Sequence, residues 1–208
     1  MKKRNILIIL ICLVLLVSTT SCGKKENNSN NNINNNSSKL DVYAGAKKVN
    51  IEIENYGTIS LELYPNLAPR TVENFISLVN MKFYDGLTFH RIMDGFMMQG
   101  GNAYGTEKES LAKNIIGEFE ENGYSNSLSH TKGVISMARA NDPNSASSQF
   151  FIVDEDSTFL DGKYASFGKV INGIEIVDKI CKEAVVIDDN GTVPEKNQPV
   201  IKRIYMVD

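Results

Sequence analysis

The chain has 208 residues, 42% of them hydrophobic and 23% charged, with a net charge of −3; this is enough for one domain with its own core plus an appendage. No basic stripe lies outside the first residues, which argues against nucleic acid as a partner. The two histidines (His90, His130) stand far apart, and with the three cysteines (Cys12, Cys22, Cys181) they form no cluster with metal-ligand spacing, so neither a metal nor a cofactor is expected.

At the N-terminus, Lys2-Lys3-Arg4 is a positive region, and Ile6 to Val17 is an unbroken apolar run. The run is as long as a signal-peptide core and short for a membrane span of about 20 residues. Ser18-Thr19-Thr20-Ser21-Cys22 follows. Small residues leading to a cysteine resemble a bacterial lipobox, with Thr19 where the common form has leucine. The resemblance implies a signal peptide over 1–21, lipidation of Cys22 and anchoring at the outer face of the cell membrane. An ordinary secretory signal or a retained anchor shares the first two features. Loss of Lys2, Lys3 and Arg4, with no acid among residues 1–21, takes the net charge from −3 to about −6. Only Cys181 would then keep a free thiol, so no intrachain disulfide is expected on the oxidising side of the membrane. Residues 22–47 include an Asn-rich run with little apolar content; such a composition cannot offset its own ordering entropy and reads as a flexible tether. The domain is expected over 48–208.

Within the domain, Val49, Ile51 and Ile53 alternate with Asn50, Glu52 and Glu54, and Ile59, Leu61 and Leu63 alternate with Ser60 and Glu62. This predicts an antiparallel hairpin around Gly57 with one wet face. Pro69 suits a first helical turn, and Val72, Phe75, Ile76 and Val79 make one helical face running to about Lys82. Two strands with a turn at Asp94-Gly95 come next, Phe89, Arg91 and Met93 alternating with His90 and Ile92. Residues 102–130 read as long loops. Strands are expected at 133–138, 149–153, 165–170 and 200–206. Asn172 with Glu175 three residues on predicts a capped second helix whose buried face carries Ile174, Val177 and Cys181. About eight short strands with two lone helices point to a mainly β fold, a closed eight-stranded antiparallel barrel capped by two α-helices.

Arg91 and Gln99 sit among Phe, Met and Ile. A guanidinium in such company is costly to desolvate without partners. On this stretch alone, an arginine pointing to water is an equal reading. The wider pattern decides. Phe89-His90-Arg91-Ile92, Gly95-Phe96-Met97-Met98-Gln99-Gly100-Gly101, Ser136-Met137-Ala138, Ser148-Gln149-Phe150-Phe151-Ile152, Leu160-Asp161-Gly162-Lys163 and Phe167-Gly168-Lys169-Val170 resemble the cyclophilin family of peptidyl-prolyl cis–trans isomerases. The resemblance covers about residues 48–207.

The resemblance implies a proline site on the barrel's outer face and proline-containing polypeptides as partners of a monomeric enzyme. It implies Arg91 as the catalytic arginine, with Gln99 beside it holding either that arginine or the substrate carbonyl. Phe96, Met97, Phe151 and Leu160 resemble the proline pocket, and Gln149 the polar residue next to it. Ala138 and Arg139 resemble the segment whose backbone holds substrate. Three positions depart from the best-known eukaryotic members: Phe159 stands for a tryptophan of the pocket wall, Tyr164 for a histidine and Arg139 for an asparagine. Phe159 lacks the indole donor relevant to cyclosporin. His90 is expected to face away from Arg91 across the strand pleat, and His130 to be a loop residue. The competing expectation is a module that binds proline segments, or holds unfolded chains, with little turnover.

Overall fold

A computed structural model describes residues 41–207 of the chain. Cys22, the expected signal segment and most of the expected tether lie outside the described residues. The last tether residues are already tied to the domain: Asn66 Nδ2 donates to Asp41 O and Ala44 O at 3.3 and 3.0 Å, and Tyr43 packs edge-on against Tyr64.

Eight strands and two helices follow in chain order: β1 (Lys47–Ile53), β2 (Gly57–Leu63), α1 (Pro69–Asn80), β3 (Phe89–Met93), β4 (Met97–Gly100), β5 (Val134–Met137), β6 (Phe150–Val153), β7 (Ser166–Asn172), α2 (Ile174–Glu183) and β8 (Ile201–Val207). All pairings are antiparallel, in the order β3-β4-β6-β5-β7-β2-β1-β8. The expected closed barrel is therefore corrected to an open sheet. No ladder joins β3 to β8. Their ends meet through an isolated Thr88–Val200 bridge and backbone bonds from Gly86 N to Ile201 O, Ile201 N to Leu87 O and Phe89 N to Pro199 O. The segment entering β8 crosses β3 near its start only, so pairing cannot propagate along both strands.

The β1–β2 hairpin forms as its alternation predicts. Ile51 pairs with Ile59 and Val49 with Leu61, all fully buried. Helix α1 starts on Pro69 and buries Val72, Phe75, Leu78 and Val79. It stops at Asn80, short of Lys82, because Lys82 takes a left-handed φ of 55° and Phe83 N turns back to Leu78 O at 3.0 Å. The capping expectation for α2 also fails. Gly173, at φ 86°, is the N-cap, no side chain among the described residues caps the helix, and Asn172 belongs to β7. A Cβ at Gly173 would come 2.7 Å from Thr58 O, so the close passage of β2 selects glycine there over an Asn cap.

The strands β4, β5 and β6 read as nearly continuous apolar runs because both their faces are covered. Met98, Ile135, Met137, Phe150 and Ile152 enter the main core with Phe75, Tyr84 and Phe89. Met97, Val134, Phe151 and Val153 face the other way and form a second apolar cluster with Leu160. That second cluster carries the site. Among the described residues no helix is long and apolar enough to cross a membrane.

Candidate active site

Arg91 reaches the outer face by a bulge. Phe89 pairs with Gly100 and Arg91 with Gln99, leaving His90 as an extra residue between them. The strict alternation expected over this stretch would have put Phe89 and Arg91 on one face. The bulge instead leaves Phe89 and Ile92 in the core and turns Arg91 and Met93 outward. The Asp94-Gly95 turn is tied down by Gly95 N donating to Asp154 Oδ2 at 2.8 Å. It delivers Phe96 and Met97 beside the arginine.

The half-buried guanidinium is held on three sides. Nε donates to Asn190 O at 2.7 Å, Nη1 to Gln99 Oε1 at 3.3 Å, and Nη2 lies 3.2 Å from Met93 Sδ. Gln99 Nε2 in turn donates to Gln149 Oε1 at 2.9 Å. Among the described residues Arg91 has no ion pair. Burial lowers its pKa, against the opposing pull of Tyr164 and Asp188, and arginine remains charged at any physiological pH.

Beside it opens a pocket of about 140 Å³. Met97, Phe151 and Leu160, all buried, form its floor, and Phe96, Ala138 and Tyr164 its walls. Arg91, Gln99 and Arg139 supply its polar edge. The Arg139 guanidinium lies 5.0 Å from the Phe119 ring centre and 4.8 Å from that of Tyr164, and its Nε donates to Lys163 O at 3.0 Å. It therefore braces the loop rather than standing free. Ala138 N is committed to Gln149 O at 3.0 Å, so what this segment can offer a ligand lies beyond that N–H.

The structure thus brings together nine of the eleven residues expected at the site. Gln149 sits one step behind, as the partner of Gln99. Phe159 is 63% exposed and stands at the rim, its ring 5.6 Å from that of Phe96. His90 is half-buried, with Nδ1 unpartnered among the described residues; burial, and then the charge of Arg91, lower its pKa.

His130 lies in a loop, as expected, but is fully buried there, and its ring stacks on Phe151 at 6.0 Å. Nδ1 lies 2.8 Å from Asp161 Oδ1 and Nε2 lies 3.0 Å from Ser136 Oγ. An ionised carboxylate only accepts, so Nδ1 carries the proton and Nε2 accepts from the serine. Burial lowers the His130 pKa against the raising effect of Asp161. The triad backs the pocket floor and does not open into the pocket. No sequence signal links these residues, because Asp161 lies in a distant turn.

A mainly β domain with a packed interior, two helices and an apolar outer-face pocket edged by one arginine defines the class of prolyl isomerases built on an antiparallel sheet. Residues 48–206 match the family described as cyclophilin type peptidyl-prolyl cis-trans isomerase/CLD, and the chain belongs to that family and is a peptidyl-prolyl cis–trans isomerase. It is 46% identical over 131 residues to a peptidyl-prolyl cis-trans isomerase of Acinetobacter baylyi, covering 61% of this chain and 68% of that protein. It is 37% identical over 160 residues to the isomerase ppi1 of Schizosaccharomyces pombe, covering 76% and 99%. A Cryptosporidium parvum cyclophilin-type isomerase, solved in the presence of the dipeptide Ala-Pro, superposes with a TM-score of 0.66 at 29% identity, covering 78% and 99%.

Proposed function

We propose that this isomerase acts through Arg91 on proline segments seated over Phe151, and that it works while anchored to the outer face of the cell membrane. One observation carries the catalytic part: a half-buried guanidinium, without an ion pair among the described residues, fixed at the edge of an apolar pocket. Rotation about an X–Pro bond is slow because amide resonance sets a barrier of about 18–20 kcal/mol. As the bond twists, the prolyl nitrogen regains a lone pair. A charged donor beside it then stabilises the twisted state more than either planar one. No bond breaks, so neither nucleophile nor proton acceptor is needed. Phe96, Met97, Phe151 and Leu160 grip the ring while the carbonyl side turns. Gln99 holds the arginine, since its carbonyl oxygen is occupied by Nη1 and its amide is braced by Gln149; of the two roles open to it in sequence, this is the one its bonding supports.

Arg91→Ala is expected to lower the isomerisation rate of an X–Pro peptide by at least about tenfold, the worth of a hydrogen bond from a charged group. Exchange measurements without a coupled protease read this directly on the full chain. An unchanged rate would sink the mechanism.

The anchoring part is supported by the positive start, the apolar run and the small residues before Cys22. Two or more acyl chains on that cysteine give a stable anchor where one does not. From that place the enzyme would assist folding of exported proteins as a monomer. Incorporation of labelled palmitate that persists in Cys22→Ala would contradict it.

A further inference from the structure

Between α2 and β8 the chain exposes three apolar residues in a row, Val185, Val186 and Ile187, at 59, 44 and 69%. This run is not a loose loop. Ile187 N donates to Thr192 O at 2.9 Å, Gly191 N to Asp188 O at 3.1 Å, and Asp188 Oδ1 accepts from Asn190 N and Thr192 N at 3.1 and 2.9 Å. The return leg is bonded to β3: Ile92 N donates to Gly191 O at 2.8 Å and Val193 N to His90 O at 3.0 Å. Gly191 has φ 82°, and a Cβ there would come 2.5 Å from Ile92 O. The turn is thus clamped to the strand that carries Arg91, and its Asn190 carbonyl holds the arginine itself.

A groove of about 290 Å³ lies between this turn, β3 and the end of α2. Met93, Ile92 and Val186 line it, and Asp94, Asp188 and Asp189 edge it against the single cation Lys182. Met93 stands between the groove, which it lines, and the residues of the pocket. It packs against the outer-face cluster, and its sulfur meets Arg91 Nη2 at 3.2 Å. We propose that this groove is a second subsite for the substrate polypeptide, taking an apolar side chain next to a basic residue of the same chain that presents the proline. The inference rests on the Arg91 pocket being the prolyl site. Three features favour substrate as the occupant: the groove's place next to the pocket across Met93, the acidic rim, and a rigid apolar surface that binds with little ordering cost.

The test uses the full chain and a set of X–Pro peptides: a short one, two carrying Leu-Lys beyond it on the N-terminal or the C-terminal side, and the Leu-Glu counterpart of each extension. One extended peptide is expected to exceed the short one in kcat/KM by about tenfold, through KM. Val186→Ser with Ile187→Ser should bring that ratio towards one. Asp189→Lys should reverse the preference between Leu-Lys and Leu-Glu extensions. Equal kcat/KM for the short peptide and both Leu-Lys peptides, or a ratio that survives both variants, overturns the subsite. So does a ratio untouched by the double variant while binding to anionic vesicles is lost, which assigns the patch to the membrane. Acceleration of the short peptide reads the Arg91 pocket alone, so its failure is a separate result.

Discussion

His130 shows how a single side chain can matter without touching a ligand. Both ring nitrogens are engaged, by Asp161 and Ser136, and the ring supports Phe151 from behind. Removing it leaves the buried Ser136 hydroxyl without its partner and opens space under the pocket floor. His130→Ala is expected to cost about 2–3 kcal/mol, seen as a lower urea midpoint. The same residue sets a pH dependence. Burial depresses the pKa of His130, and burial with the Arg91 charge depresses that of His90. The unfolded chain therefore takes up these protons first as pH falls. Stability is complete above the ordinary histidine value of about 6.5 and declines below it, towards the lower folded-state values. Urea midpoints measured from about pH 8 down to pH 5 should fall, and fall less in His130→Ala.

At the scale of elements, two local devices stand out, one placing the site and one placing the second helix. The bulge at His90 turns Arg91 to the outer face, and the Gly173 cap starts α2 where β2 passes close. Gly173→Ala meets both a left-handed φ of 86° and a carbonyl 2.7 Å from the new Cβ. A loss of about 1–3 kcal/mol is expected, read as a shifted midpoint, with the isomerisation rate of the remaining folded protein retained. Neither device was legible beforehand. A bulge shifts the alternation by one residue, and a five-residue strand is too short a run to reveal the change of phase; Asn172 offered a conventional cap that the neighbouring strand overrode. The hairpin β1–β2, helix α1 and the paired runs of β3 and β4 were legible, because burial of one face imprints a period of 2 or 3.6 on the sequence.

For the molecule as a whole, the core carries stability without a crosslink among the described residues. Cys181 is the one free cysteine there, buried on α2, and burial pushes its thiol well above the ordinary range. Thiol reagents are expected to label it only on the timescale of unfolding, and thermal midpoints to be the same with and without reductant. Rapid labelling of the native protein would contradict this placement.

The amino-acid sequence by itself determined the elements with strong periods, the apolar blocks of the pocket and, through their order and spacing, the family. Those features are local, or repeat motifs whose residue types the chemistry demands. Only the tertiary structure decided that the sheet stays open between β3 and β8, that Phe159 stands at the rim, and that His130 lies beneath Phe151. It alone brought Asn190 to Arg91, two residues 99 positions apart. Such pairings depend on how loops return across a sheet. Their residues carry no period of their own, so their partners become visible only once the chain has folded.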